Sequence, residues 1–64
     1  MNQTKTDRFV REKEAVILTG LSRTTIWRWE RAGKFPLRYN MYGTVAWKLS
    51  ELIEWMNGFR PIHN

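Results

Sequence analysis

One predicted helix, residues 23–32, carries most of the side chains in this sequence that could recognise another molecule. At 100° per residue its side chains divide between two faces. One face is expected to pack in the core, and its members are Thr25, Ile26, Trp29 and Ala32. The other face carries hydrogen-bonding and aromatic groups, namely Arg23, Thr24, Trp27, Arg28 and Arg31. Because arginine can hydrogen-bond guanine O6 and N7 together, and threonine can offer its hydroxyl to a base or its methyl to thymine, this second face predicts contact with DNA.

The basic residues of the chain are concentrated on the same helix and on the loop after it. The 64 residues carry a net charge of +5. Residues 21–38 hold five basic side chains against the acid Glu30, whereas residues 1–20 are net +1 and residues 39–64 are neutral. A basic domain with its charge gathered on one element is typical of a protein that binds a polyanion. A merely solvated charged face would not require this concentration.

A short turn is expected to position this helix. The preceding helix, predicted over residues 12–19, stops at Gly20, which easily takes the left-handed conformation found just past a helix end. Ser22 is a favoured N-cap for the next helix. Two helices joined by so short a turn predict a helix-turn-helix, whose second helix enters the major groove with its N-terminal part.

This motif gives each polar side chain of the second helix an expected role. The predicted DNA contacts here are Ser22, Arg23, Thr24, Trp27, Arg28 and Arg31. Residues 23–28 lie nearest the base edges, whereas Arg31, one turn further on, is better placed for a phosphate. Simpler interpretations stay open at three of them. Arg23 could be merely solvated, Arg31 could interact with the last carbonyls of its helix, and Trp27 could lie against a hairpin at the edge of the core.

That hairpin is predicted over residues 37–48, where β-forming side chains flank Gly43 on both sides. A hairpin packed beside a helix-turn-helix predicts a winged helix. Wings commonly meet the sugar-phosphate backbone, and at least one of four hairpin side chains is expected to do so. These candidates are Arg38, Tyr42, Thr44 and Lys48.

A third helix is predicted after the hairpin. Ser50 is its expected N-cap, and it runs to about Asn57. One side of this helix is apolar, with Leu52, Ile53 and Met56. Trp47 is expected to pin the hairpin to this helix, and Trp55 is also expected to serve the core rather than a ligand.

The predicted fold class is therefore mainly α with a small β-hairpin, in the form of a winged helix-turn-helix over residues 8–58. Residues 1–7 are polar and without periodicity, which predicts a flexible N-terminal arm. Residues 8–11 alternate loosely and could form a short extended segment. Residues 59–64 are predicted to be a C-terminal tail.

The sequence gives little support to catalysis, cofactor binding or a membrane location. It contains no cysteine, and its one histidine, His63, lies in the predicted tail without a metal-ligand cluster or paired carboxylates around it. We therefore expect no catalytic residues, no metal and no cofactor. No apolar run approaches the roughly 20 residues that span a bilayer, and the polar start is not a signal peptide. We expect a cytoplasmic, nucleoid-associated protein with no membrane partner.

The sequence also resembles the AlpA family of short prophage-associated transcriptional regulators, which belong with the excisionases in the MerR-like winged-helix group. The resemblance runs from about Phe9 to Trp55. The fragments that carry it are Lys13-Glu14, Thr19-Gly20-Leu21-Ser22-Arg23, Thr25-Ile26-Trp27-Arg28, Gly33-Lys34-Phe35-Pro36, Val45-Ala46-Trp47 and Ile53-Glu54-Trp55. It implies a sequence-specific binder of double-stranded DNA from a phage or other mobile element. The recognition contacts it implies fall on Arg23, Thr24, Trp27 and Arg28.

The chain departs from the family's pattern in three ways. Gly43 and Thr44 stand where the family often has a basic residue, and the hairpin is about one residue shorter. Both differences weaken the expectation of a strong wing contact. Ile17 stands at a position of the first helix that the family usually keeps polar. It could contact another protein or be covered by the N-terminal segment.

Three functions compete. The first is a transcriptional regulator that occupies an operator or promoter, and the second is an excisionase that bends DNA. The third is a protein-interaction module, whose affinity would be indifferent to salt. For DNA, roughly four neutralised phosphates predict that log K falls with log salt at a slope of about −3.6. The expected partners are double-stranded DNA, further copies that bind cooperatively along it, and an integrase or other phage protein.

Overall fold

The structure is a computed structural model that describes residues 7–62. Residues 1–6 of the predicted arm, together with His63 and Asn64, lie outside the described residues. The elements follow the chain in this order: β1 (Phe9–Val10), α1 (Glu12–Thr19), α2 (Arg23–Arg31), β2 (Tyr39–Met41), β3 (Thr44–Lys48) and α3 (Leu49–Asn57). Three helices therefore accompany a small antiparallel sheet, an arrangement compatible with a helix-turn-helix and a wing.

The sheet has three strands in the order β1-β3-β2. The extended segment predicted near residue 9 forms β1, whose Val10 stands opposite Trp47 of β3. The predicted hairpin is thus two strands of a three-stranded sheet, with β3 at its centre. Its turn consists of Tyr42 and Gly43, which both have positive φ angles, 53° and 90°. Positive φ at both central residues matches the right-handed twist of a hairpin and is characteristic of a type I′ turn.

The core lies between the helices and one face of this sheet. Its fully or nearly fully buried apolar members are Val10, Ala15, Ile26, Phe35, Trp47 and Leu52. The indole Nε1 of Trp47 donates to the carbonyl of Pro36 at 2.9 Å, so its one polar group is satisfied. Trp47 belongs to the same cluster as Leu52 of α3, which confirms that it pins the hairpin to this helix.

The core face of α2 was predicted only in part. Ile26 is buried, and Thr25 and Trp29 are half-buried. Ala32 is exposed, contrary to the prediction, because α2 ends at Arg31 and Ala32 is already its C-cap. Glu30 is buried instead, which was not expected of a carboxylate.

The start and one face of α3 also differ from prediction. The helix begins at Leu49, directly after β3, so Ser50 lies in its first turn and Lys48 takes the N-cap position without a side-chain hydrogen bond. Asp7 supplies the missing acceptor, since its Oδ1 accepts from the Ser50 N–H at 3.1 Å. This hydrogen bond lowers the pKa of Asp7. Ile53, predicted as apolar packing, is exposed.

Trp55 of α3 is half-buried and serves the structure, as predicted. Its ring contacts that of Phe35, with the centroids 4.7 Å apart, and its Nε1 donates to the Lys34 carbonyl at 3.0 Å. Phe59, from the predicted tail, covers the same indole with centroids 4.8 Å apart. The loop after α2 is thereby tied to α3.

Candidate nucleic-acid interface

The turn between α1 and α2 is fixed by local hydrogen bonds. Gly20 takes the left-handed conformation at φ 76°, and its N–H donates to the carbonyl of Val16. The hydroxyl of Thr19 then accepts from the N–H of Leu21. At the start of α2, the Ser22 hydroxyl accepts from the N–H of Thr25 at 3.1 Å and donates to its side chain, which confirms Ser22 as the N-cap. The Ser22 hydroxyl therefore fixes the start of α2, and its predicted contact with DNA stays a prediction.

The outer side of α2 is exposed along its whole length. We call this set of side chains the recognition face: Arg23, Thr24, Trp27, Arg28 and Arg31. Its N-terminal part surrounds an open concavity of about 460 Å³, lined by Arg23, Thr24, Trp27 and Glu12 of α1. The structure therefore brings together three of the four predicted base-reading side chains, without Arg28, and adds a carboxylate that the sequence did not suggest.

Trp27 lies on the recognition face and is not part of the described core. Half of it is exposed, at 51% of its surface. The guanidinium of Arg31, one turn later, stacks on its ring with Cζ 4.5 Å from the centroid. A cation held over an aromatic face in this way is worth about 0.5–1 kcal/mol at an exposed site. Arg31 therefore braces Trp27 and keeps its own charge at the surface.

Arg23 is paired with Glu12. Its Nε lies 3.1 Å from Oε1 of Glu12, and the two side chains are 76% and 43% exposed. Glu12 is the first residue of α1 and Arg23 the first of α2, so the pair bridges the two helix starts. The sequence shows an acid in the first turn of α1, but its pairing with Arg23 depends on how the two helix starts meet.

Arg38, one of the predicted wing contacts, is paired with Glu30 of α2. Its Nε donates to the Glu30 carboxylate at 2.8 Å and its Nη2 lies 2.6 Å from the same group, while its backbone N–H donates to it as well. This hydrogen bonding raises the pKa of Arg38. The guanidinium also lies over the ring of buried Trp47, 5.3 Å from the centroid. The charge of Arg38 is therefore neutralised inside the fold, and the pair links α2 to the loop before β2.

The other predicted wing residues separate into two places. Tyr42 is fully exposed at the hairpin turn, and Thr44 follows it, half-buried, at the start of β3. Lys48 lies at the opposite end of β3, where its Nζ is 5.1 Å from the centroid of the Tyr39 ring. The Tyr39 hydroxyl donates to Glu51 at 2.8 Å, which raises its pKa. Lys48 thus belongs to an aromatic and charged cluster away from the turn.

Residues 7–62 contain no candidate metal site and no candidate membrane-spanning helix. No group of three or more histidine, cysteine or acidic side chains in that range could hold a metal ion. No described helix combines the length and the apolar character needed to cross a membrane.

Comparison with known proteins gives one family and one relative. The model of the family described as Prophage CP4-57 regulatory protein (AlpA) matches residues 8–60. The "Uncharacterized protein ORF88" of Enterobacteria phage P4 is 45% identical over 53 residues, which cover 81% of this chain and 60% of that protein. The chain thus spans less than two thirds of this relative's length. No solved structure matches the chain. These matches confirm the family resemblance predicted from the sequence.

Proposed function

Since the chain belongs to the AlpA family of prophage regulatory proteins, we propose that it is a sequence-specific regulator that binds double-stranded DNA as a winged helix-turn-helix. The observation that carries this proposal is the recognition face, in which three arginines and a tryptophan stand exposed on one capped helix. Its place of action is the phage or mobile-element DNA in the cytoplasm.

The side chains of the recognition face have two proposed roles, which are to recognise base edges and to position the helix on the DNA backbone. Arg23, Thr24 and Arg28 contact base edges in the major groove, because the N-terminal part of the second helix lies deepest there. A good bidentate contact gives about 1–3 kcal/mol of discrimination against a wrong base. Arg31, braced on Trp27, contacts a phosphate and fixes the register of the helix.

The hairpin contributes a smaller contact. Tyr42 and Thr44 are the wing residues that meet the backbone of the duplex, because Tyr42 is fully exposed at the turn and Thr44 adjoins it. Arg38 and Lys48 are excluded from this set, since one is paired with Glu30 and the other lies over Tyr39.

The experiment is a selection from random duplexes, followed by titration of the recovered sequences at two salt concentrations. The wild-type chain is compared with Arg23→Ala plus Arg28→Ala, and Arg60→Ala, an exposed arginine outside the site, serves as control. The proposal expects one sequence family from the wild type and from the control, and none from the double variant. Binding that does not depend on salt, or sequences that the double variant also selects, would overturn it in favour of a protein-interaction module.

A further inference from the structure

We propose that Arg11 and Lys13, at the start of α1, form a second site for the phosphodiester backbone of DNA, between the recognition face and the hairpin turn. This inference rests on the proposed function and extends its interface to two side chains that a count of charges along the sequence does not single out. Residues 1–20 are nearly neutral in sequence. In the described part of the folded chain, however, the acids of this segment do not pair with all of its basic side chains.

Two of the three acids in this segment, Glu12 and Glu14, are already paired with arginines other than Arg11, and the third, Asp7, accepts from the Ser50 N–H. Glu14 binds both terminal nitrogens of Arg8, which lowers the pKa of the carboxyl group. Glu12 binds Arg23 at 3.1 Å. Among residues 7–62, neither Arg11 nor Lys13 has an acidic partner within ion-pair distance. Two exposed cations therefore remain on a segment whose formal charge is close to zero.

These two cations border a groove. It has a volume of about 430 Å³ and lies between the start of α1 and the hairpin. Arg11 and Lys13 belong to one wall, Gly43 and Val45 to the other, and Arg38 also lines it. Because Glu30 neutralises Arg38, the uncompensated charge of the groove comes from the α1 side.

The groove adjoins the recognition face. Glu12 lines both the groove and the concavity formed by Arg23, Thr24 and Trp27. Gly43 brings the hairpin turn to the far wall, next to the proposed wing contact at Tyr42. In the proposed complex, a duplex that touches both α2 and the turn passes one strand of its backbone over this groove.

The chemistry of the groove suits a phosphate rather than a base. A lysine binds phosphate as a point charge, and an arginine offers its guanidinium to the same oxygens. Such contacts position a protein on DNA without reading sequence. Neither residue is on α2, the helix proposed to reach the base edges.

The test uses the full chain with Arg11→Gln, Lys13→Gln and the double variant, and Arg60→Gln as the control for loss of one positive charge. Affinity for the selected duplex and for an unrelated duplex is measured over a series of salt concentrations. Each groove substitution is expected to reduce the steepness of the log K against log salt plot by about 0.9. Both duplexes should lose affinity by the same factor, and the selected sequence should stay the same. Lys13→Arg should retain the wild-type slope.

Thermal unfolding monitored by circular dichroism shows whether the variants are folded under the binding conditions. If the wild type binds with a salt dependence that the groove variants share with Arg60→Gln, the second site is overturned and the proposed function stands. If the groove variants alter which sequence is selected, the assignment to phosphate is wrong. If the wild type shows no salt-dependent binding to any duplex, the proposed function itself fails and this inference falls with it.

Discussion

Glu12 holds Arg23 through Nε, at 3.1 Å from its own Oε1, and so links the first residue of α1 to the first residue of α2. A contact through Nε leaves the two terminal nitrogens of the guanidinium available, and these are the groups that grip guanine O6 and N7. Arg23 is largely exposed and Glu12 is partly exposed, so the pair adds little to folding stability. In the proposed complex with DNA, the pair orients Arg23 and places a negative charge close to the duplex.

Glu12→Gln should therefore separate affinity from specificity. Removing a carboxylate beside the phosphates should strengthen binding to unrelated DNA, while a less constrained Arg23 should discriminate less between the selected sequence and its single-base variants. Titration of the protein with the selected duplex, its single-base variants and unrelated DNA gives the ratio of their affinities. Glu54→Gln, at an exposed position on α3, is the matched control. Discrimination equal to that of the wild type would contradict this role.

Trp27→Ala should weaken DNA binding with little loss of stability, because half of Trp27 is exposed and its main contact is with Arg31. Trp47→Ala is the contrasting variant, since Trp47 is only 1% exposed, and it should cost about 3–5 kcal/mol of unfolding free energy. Denaturant unfolding and DNA titration of each variant are the measurements. A large loss of stability in Trp27→Ala with unchanged binding would show that Trp27 belongs to the fold.

Arg38→Ala should destabilise the protein, because it leaves the buried carboxylate of Glu30 without its partner. Losing one side of a buried pair costs about 3–5 kcal/mol, and the partial exposure of Arg38 places the expected loss at the low end. Unfolding free energy measures this effect. At a temperature where the variant is folded, its DNA affinity should show the wild-type salt slope. A shallower slope in the folded variant would instead support the predicted backbone contact.

Tyr42→Asn should stabilise the hairpin and weaken DNA binding. Tyr42 has φ 53°, a conformation that tyrosine adopts at a cost of about 1–2 kcal/mol and that asparagine tolerates before glycine in a type I′ turn. Asparagine at this position would lose the aromatic wing contact. The thermal midpoint should rise and the affinity for the selected duplex should fall. Unchanged affinity would remove Tyr42 from the interface.

Stability should fall in acid through Asp7. The Ser50 N–H holds the pKa of Asp7 below its ordinary value of 3.8. As the pH falls, the Asp7 carboxylate is therefore protonated at a higher pH in the unfolded chain than in the folded chain. The stabilisation is fully present above about pH 3.8 and is lost as the pH falls through the lowered pKa of Asp7 in the folded chain. Thermal midpoints against pH should show Asp7→Asn less stable than the wild type near neutrality, with the difference closing in acid. Parallel curves would contradict the assignment.

The sequence predicted those features that depend on neighbours within one turn of chain. The Ser22 cap, the end of α1 at Gly20 and the hairpin about Gly43 are local signals, and each was predicted correctly. Burial of Trp47 also followed from its size and apolar surroundings.

The features that were missed depend on contacts between distant segments. Ser50 is not the cap of α3, because β3 continues directly into the helix and Asp7 supplies an acceptor from 43 residues away. Glu30 is buried because the loop after α2 returns Arg38 to it. Counting charges along the chain could not show that Glu12 and Glu14 are already paired, since pairing depends on which helix ends meet.

The placement of the four tryptophans gives the protein separate optical reporters of two events. Trp47 is buried, and Trp29 and Trp55 are half-buried against the core. Their emission follows the loss of packing when the chain unfolds. Trp27 has the most solvent-exposed indole of the four, with the Arg31 guanidinium on its ring. A small water-soluble collisional quencher therefore reduces the fluorescence of Trp27 most strongly. Protection of Trp27 from this quencher would report occupation of the recognition face without an added label.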